Sequence, residues 1–209
     1  MINQINISII DYGMGNTHSL MNSLRALGCL NINLTSDQKI IEKSDLLILP
    51  GVGAFGDAMK NLEEKNLISI LNNEILNKKK PILGICLGMQ LLFDSSEEYG
   101  FHKGLGWIPG KVEKMNQSRE YRIPHVGWNN LKFMKKSDLL KNIKPENDFY
   151  FVHSFHANCN EEHILAKTEY GREYTAIAQH KNVCGMQFHP EKSHHNGLQI
   201  LKTFIEITV

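Results

Sequence analysis

The first half of the chain alternates short, continuous apolar runs with segments whose apolar residues recur at helical spacing. Residues 5–10, around "NISII", read as a buried strand; after the turn Asp11-Tyr12-Gly13, "GNTHSLMNSLRALG" places Leu20, Leu24 and Leu27 on one helical face. Asn16 or Thr17 can cap that helix at its start, and Gly28 can end it. "NINLT" (31–35) and "DLLILPG" (45–51) repeat the strand pattern. A long helical region is expected through "DAMKNLEEKNLISILNNEILNKKK" (57–80), and "PILGICLG" (81–88) supplies a fourth strand. Strands that are apolar throughout and joined by helices predict a parallel sheet covered on both faces.

After about residue 105 the texture changes. "GWIPGKVEKM", "VGWNNLKFM", "DFYFVHSFHAN", "ILAKTEYG", "YTAIAQHKN" and "VCGMQFHP" are strand-like segments separated by Gly, Asn or charged turns. No Pro/Gly/Ser linker sets them apart, so they read as an antiparallel extension of the same sheet or a second small one. "NGLQILKTFIEI" then closes the chain as a helix with Leu198, Leu201 and Ile205 on one face. The expected fold is α/β: an open, mostly parallel sheet flanked by helices with an antiparallel extension, in one domain over residues 1–209.

Composition narrows the function classes. Lys and Arg total 23 against 22 Asp and Glu, a formal charge of +1, so the chain lacks the positive field that nucleic acid or an anionic membrane attracts. A small substrate is expected instead. The cysteines at 29, 86, 159 and 184 form no CxxC pair, and "MINQINISIIDYG" lacks the order of a signal peptide, which points to the reducing cytoplasm. The apolar runs fall far short of the ~20 residues of a membrane helix. Neither a metal-ligand spacing nor a cofactor motif is present.

One stretch carries candidate chemistry. In "GICLG", Cys86 lies between Gly84 and Gly88 where a buried strand turns into a helix expected near Met89-Gln90-Leu91-Leu92. This is the pattern of a nucleophile elbow, a turn so tight that only glycine fits beside the nucleophile. A helix N-terminus there favours the thiolate, and the Leu87 N–H would face an oxyanion formed by its attack. A lone cysteine in an apolar strand is also one of the commonest buried residues, so the motif alone leaves both readings open.

A thiolate nucleophile needs a base, and the base an orienter. Among ten histidines, His102, His194 and His195 sit in polar, turn-like contexts. His153 and His156 are three apart on a strand and point to opposite faces, which disfavours a chelating pair. "MQFHPE" (186–191) differs. Alternation puts Gln187 and His189 on one face and Met186 and Phe188 on the other, Pro190 ends the ladder, and Glu191 can reach back to the imidazole.

"GICLGMQ" and "QFHPE" together resemble the class I glutamine amidotransferases, whose triad is Cys, His and Glu in this chain order. "DYGMGN", "PGVGAF", "GLGWIPGKV", "PHVGWN", "YFVHSF" and "QFHPEKS" are similar to the glutaminase subunits of imidazole glycerol phosphate synthases, over essentially the whole chain. The resemblance implies Cys86 as nucleophile, His189 as proton shuttle and Glu191 as its orienter. It implies an oxyanion hole from the Leu87 and Val52 amides, the latter in a Pro50–Gly53 loop that idles the enzyme until its partner is occupied. It implies contacts to L-glutamine from Gly53, Gln90, Glu98, Ser154 and Phe155. It also implies a heterodimer with a (β/α)₈-barrel cyclase that receives ammonia through a channel, with Asn16, Pro124, Val126, Trp128, Tyr150 and Lys192 near the interface. Val126 and Phe155 depart from a methionine and a tyrosine common in that family. Three other readings compete: a paralogous subunit serving another acceptor such as an amidino sugar of surface polysaccharide, a non-catalytic regulatory subunit, and a free-standing cysteine hydrolase.

Overall fold

The computed structural model describes residues 2–117 and 120–208. Its first half runs β1 (Asn6–Ile10), α1 (Thr17–Ala26), β2 (Asn31–Thr35), α2 (Gln38–Lys43), β3 (Leu46–Gly51), α3 (Phe55–Glu64), α4 (Leu67–Asn72), a π-helical turn (Asn73–Asn77), β4 (Ile82–Cys86) and α5 (Leu87–Leu91). The second half contains β5 (Phe93–Ser96), β6 (His102–Lys103), β7 (Ile108–Lys114), β8 (His125–Asn130), β9 (Lys132–Phe133), β10 (Asp148–His153), β11 (Phe155–Asn158), β12 (Ile164–Glu169), β13 (Glu173–His180), β14 (Val183–Met186) and α6 (His194–Thr208).

The main sheet has eight strands in the order β2-β1-β3-β4-β14-β13-β12-β9. The first five pair parallel, and the remaining pairs are antiparallel. The antiparallel extension is therefore real, but it begins one strand later than the sequence pattern alone suggests. β14, distant in sequence, slots beside β4 and runs with it. A four-stranded sheet (β11-β7-β5-β6) and a two-stranded ribbon (β10-β8) are added outside it, so both of the alternatives left open for the second half occur.

β3 is buried at all six positions, and its residues divide between the two faces of the sheet. Leu46 and Ile48 pack in one core with Leu20, Leu24, Leu201 and Phe204 of α1 and α6. Leu47 and Leu49 pack in the other with Phe55, Leu62 and Leu71 of α3 and α4. That two-sided burial is why the strands read as unbroken apolar runs.

Two expected helices differ. The long segment 57–80 is not one helix. It starts two residues earlier, at Phe55, and breaks at Asn66, whose φ of 55° reverses the chain before α4. Asparagine is among the few residues that enter this left-handed region cheaply. The helix after Cys86 begins at Leu87 and ends at Leu91, because Phe93–Ser96 leaves to become β5. Among the described residues no helix is long and apolar enough to cross a membrane.

Candidate active site

Ligand crevices in open α/β sheets form beyond the carboxyl ends of the parallel strands. β3 and β4 end there in Gly51 and Cys86, which are paired in register. Cys86 has φ 54° and ψ −111°, a strained conformation for a residue with a side chain and the geometric mark of an elbow. Its flanking glycines are demanded by space. A Cβ on Gly88 would lie 1.8 Å from the carbonyl oxygen of Leu49, and one on Gly84 would lie 2.6 Å from that of Gly88. Cys86 is largely buried, yet it lines a cavity of about 360 Å³ together with Val52, Leu87, Gln90, Glu98, His153 and His189. Burial and availability coexist because the sulfur faces a cavity instead of the packed core.

His189 arrives from past the end of β14. Its N–H donates to the Tyr150 carbonyl at 2.8 Å, and Pro190 starts a short 3₁₀ turn that swings Glu191 back under the ring. Nδ1 then stands 2.8 Å from Glu191 Oε1. Ser193 Oγ locks the turn by donating to the His189 carbonyl at 2.6 Å while accepting from the Tyr150 N–H at 2.9 Å. With Nδ1 committed to the carboxylate, Nε2 is left for the sulfur. It is buried and outside hydrogen-bond geometry with any described group, as resting sites commonly are before substrate draws them together. Burial alone would lower the imidazole pKa, but Cys86 and Glu191 outweigh it and hold the ring up to about 10. The imidazole thus carries its proton at neutral pH, the state that stabilises a neighbouring sulfur anion.

The alternation read from "MQFHPE" holds: Met186 and Phe188 are in the core, and Gln187 turns toward Cys86 with Nε2 3.9 Å from the sulfur. Gln90 Nε2 donates to Gln187 Oε1 at 3.1 Å and to the Phe155 carbonyl at 3.0 Å. Glu98 is buried in the cavity wall, and its Oε2 accepts from the Phe55 N–H at 2.7 Å. It thereby caps α3, whose own cap residue Ala54 has no side chain to do so. Burial raises the Glu98 pKa more than the Phe55 bond lowers it. Gly53, with φ +113°, follows the exposed Val52 at the cavity mouth, and Leu87, first residue of α5, offers one of the unpaired amides of a helix start. Ser154 and Phe155 complete the wall.

Of the residues expected at a partner surface, Val126 and Trp128 stand exposed at 55% and 47%, a large apolar pair on one edge of the site. Trp128 meets Tyr150 edge-on at 5.8 Å, and Lys192 Nζ lies 5.8 Å from the centre of that tyrosine ring. Asn16 is exposed, beside a crevice shared with Val52 and Glu191. Pro124 lines the cavity itself. The His194 ring, in a polar, turn-like context by sequence, stacks on Trp128 at 4.9 Å.

Two further residues at the site, Tyr12 and Val152, carry no sequence signal, and His153 enters the sequence reading only as half of a disfavoured chelating pair. Tyr12 is fully buried beneath the elbow, with its hydroxyl donating to the Pro50 carbonyl at 2.6 Å. Val152 places its carbonyl 3.8 Å from the Cys86 sulfur. His153 lines the cavity. Alternation in "DFYFVHSF" sets His153 in phase with the buried Phe149 and Phe151, a signal for an inward-facing imidazole.

A cysteine on an elbow, an imidazole oriented by a carboxylate and a polar cavity between them define a thiol-dependent acyl-transfer site. The family model for glutamine amidotransferase class-I matches residues 8–207, and the chain belongs to that family. Among curated relatives, it is 52% identical over 200 residues to imidazole glycerol phosphate synthase subunit HisH 2 of Vibrio vulnificus, covering 96% of this chain and 94% of that one. It is 47% identical to the HisH subunit of Aquifex aeolicus, covering 94% of each. Among solved structures, a glutamine amidotransferase superposes with TM-score 0.74 at 17% identity, covering 97% of this chain and 98% of that one. A chain of PurLQS from Thermotoga maritima superposes with TM-score 0.72 at 17% identity, covering 97% and 98%. These two likenesses speak for the fold.

Proposed function

We propose that this chain is the glutaminase subunit of an imidazole glycerol phosphate synthase, with Cys86, His189 and Glu191 as its triad. The observation that carries the reading is the convergence, on one cavity, of a strained cysteine and an imidazole whose second nitrogen is fixed by a carboxylate at 2.8 Å. The 43–52% identity to HisH subunits over nearly the whole chain supports the histidine-biosynthetic assignment over a paralogous acceptor or a non-catalytic role.

The reaction follows from these groups. Cys86 Sγ attacks the side-chain amide carbon of glutamine, and the carbonyl π pair becomes an oxyanion that the Leu87 and Val52 amides stabilise. His189 gives its Nε2 proton to the amide nitrogen as the C–N bond breaks, which releases ammonia and leaves a γ-glutamyl thioester. The same Nε2 then takes a proton from water as its oxygen adds to the thioester. Collapse expels the thiolate and frees glutamate. Gln90, Glu98, Gly53, Ser154 and Phe155 bind the amino acid, with Glu98 facing its ammonium.

Ammonia that escapes into water is protonated and ceases to be a nucleophile, so it must pass through a dry route to a second active site. We assign that site to a (β/α)₈-barrel cyclase docked on Val126, Trp128, Tyr150, Lys192, Asn16 and Pro124, where exposed Trp128 and half-buried Tyr150 provide the anchors. The loop at Val52, bordered by a glycine with φ +113°, has the freedom to turn its amide toward or away from the oxyanion. Free cysteines throughout suit a cytoplasmic setting.

The test is glutamate release by the purified chain, alone and with the cyclase and its nucleotide substrate. Near silence alone, strong stimulation in the complex, and at least a ~10³-fold loss on Cys86→Ala are expected. Full activity without a partner would refute the gated coupling.

A further inference from the structure

The β8–β10 ribbon has two faces with different contents. Along its register His125 pairs with His153, Val126 with Val152, and Trp128 with Tyr150. Val126 and Trp128 point outward and are exposed, whereas His125 and His153 point inward and are buried. The inner pair is bonded: His125 Nδ1 lies 3.2 Å from His153 Nε2, and His153 Nδ1 lies 2.8 Å from the carbonyl oxygen of Phe155.

The direction of each proton in this relay follows from one fact. A carbonyl oxygen only accepts, so His153 Nδ1 carries the hydrogen. In a neutral ring Nε2 must then accept, and the donor facing it is His125 Nδ1–H. Both rings thus share one tautomer, which the Phe155 carbonyl sets in His153 and His153 Nε2 in turn sets in His125. The surroundings agree. His125 is sandwiched between Phe151 at 5.0 Å and Tyr170 at 4.1 Å, and burial pushes His125 down to about 4 and His153 to about 3.

The atom these rings hold lies in the substrate wall. The Phe155 carbonyl also accepts from Gln90 Nε2 at 3.0 Å, and the preceding Ser154 carbonyl accepts from the Met115 N–H at 2.9 Å. Gln90 in turn bonds Gln187, which reaches the Cys86 sulfur. A hydrogen-bonded chain therefore runs from His125 through His153 and Phe155 to the nucleophile.

We propose that His125 and His153 are positioning residues for glutamine: the imidazole pair fixes the Phe155 carbonyl, and with it the Ser154–Phe155 turn and the Gln90 amide that shape the substrate pocket. This rests on reading the cavity as the glutamine site. The pair touches neither the sulfur nor the attacking water, so its effect falls on substrate binding more than on the chemical step.

The experiment is steady-state glutaminase kinetics of the complete synthase complex, with thermal melting of each variant. His125→Phe keeps the stack between Phe151 and Tyr170 but removes the donor that holds His153 Nε2 and leaves that buried nitrogen without a partner. It is expected to raise KM for glutamine about tenfold with kcat within about twofold of wild type. His153→Leu is expected to exceed that rise, and His153→Asn, whose amide can still donate to Phe155, to recover most of it. Glutamine affinity measured on a Cys86→Ala background should fall in parallel. A folded His125→Phe with unchanged KM, or a loss confined to kcat, overturns the proposal. If the wild-type complex does not hydrolyse glutamine, it is the glutaminase reading that fails.

Discussion

β4 has a buried carboxylate at each end, and the two differ in how completely they are answered. At its amino end Glu74, on the π-helical turn, is fully buried between Lys78 and Lys80, each 2.7 Å from one of its oxygens. Lys80 also donates to the carbonyls of Ile41 and Glu42 at 2.7 and 2.9 Å, and Asn182 bonds the carbonyls of Ile75 and Lys80, so α2, the turn and the β14 approach are tied together. At its carboxyl end Glu191 answers only one nitrogen of His189, and both His189 Nε2 and Glu191 Oε2 remain without a hydrogen bond. A buried polar atom with no partner costs about 1–3 kcal/mol. Glu74 Oε2 is likewise outside hydrogen-bond geometry, but the Lys80 ammonium stands 2.7 Å from it and meets its charge, whereas among the described residues no cation pairs with Glu191 Oε2. In the proposed mechanism this leaves His189 Nε2 free for the proton it moves.

The contrast is tested most strongly by exchanging each carboxylate for its amide. In the proposed mechanism Glu191→Gln removes the charge that orients His189 and keeps it protonated, and a fall in kcat of about 10²–10⁴ is expected. A rate within about tenfold of wild type would place the orienter elsewhere. Glu74→Gln leaves Lys80 buried against a neutral group. A loss of about 3 kcal/mol is expected, or roughly 10 °C in Tm for a chain of this size, with glutaminase kinetics of the complex unchanged. A kinetic defect without a stability loss would reverse the roles assigned to the two ends.

The smallest effect is in the pH dependence of stability, and its sign differs between the ends. His189 is raised from 6.5 to about 10. Its pairing therefore contributes fully below pH 6.5 and is lost as pH climbs toward 10. Glu74 is lowered from 4.5 because its bonds to Lys78 and Lys80 outweigh the desolvation of burial, so its contribution is present above pH 4.5 and is lost on acidification. In denaturant titrations Glu191→Gln should flatten the alkaline limb and Glu74→Gln the acid limb. Identical limbs in both variants would contradict the assignment.

Much of the crevice end was legible in the sequence because its chemistry is local. The glycines around Cys86 announce a turn with no room for a Cβ, and two residues of alternation plus a proline set His189 against Glu191. Contacts between distant segments were not legible. Glu98 caps α3 at Phe55, a residue 43 positions away, and nothing local in "SSEE" shows that the fold brings this carboxylate inside. His125 and His153, 28 apart, became a pair only when β8 and β10 took their register. The break at Asn66 was hidden for another reason. Helical periodicity continues through "KNLISIL", and nothing in an apolar repeat reveals that one asparagine will take positive φ.

The central claim is that the cysteine at the elbow, and no other, is the nucleophile, and it is tested most directly by labelling. Incubation of the synthase complex with an electrophilic glutamine analogue, followed by peptide mass spectrometry, should place one equivalent on Cys86 and abolish glutamate release in proportion. Burial pushes the Cys184 thiol up to about 12 and that of Cys159 to about 11, and it raises that of Cys29 as well, so all three should remain unlabelled. Stoichiometric label on any of those three, or full inactivation with Cys86 unmodified, would contradict the account.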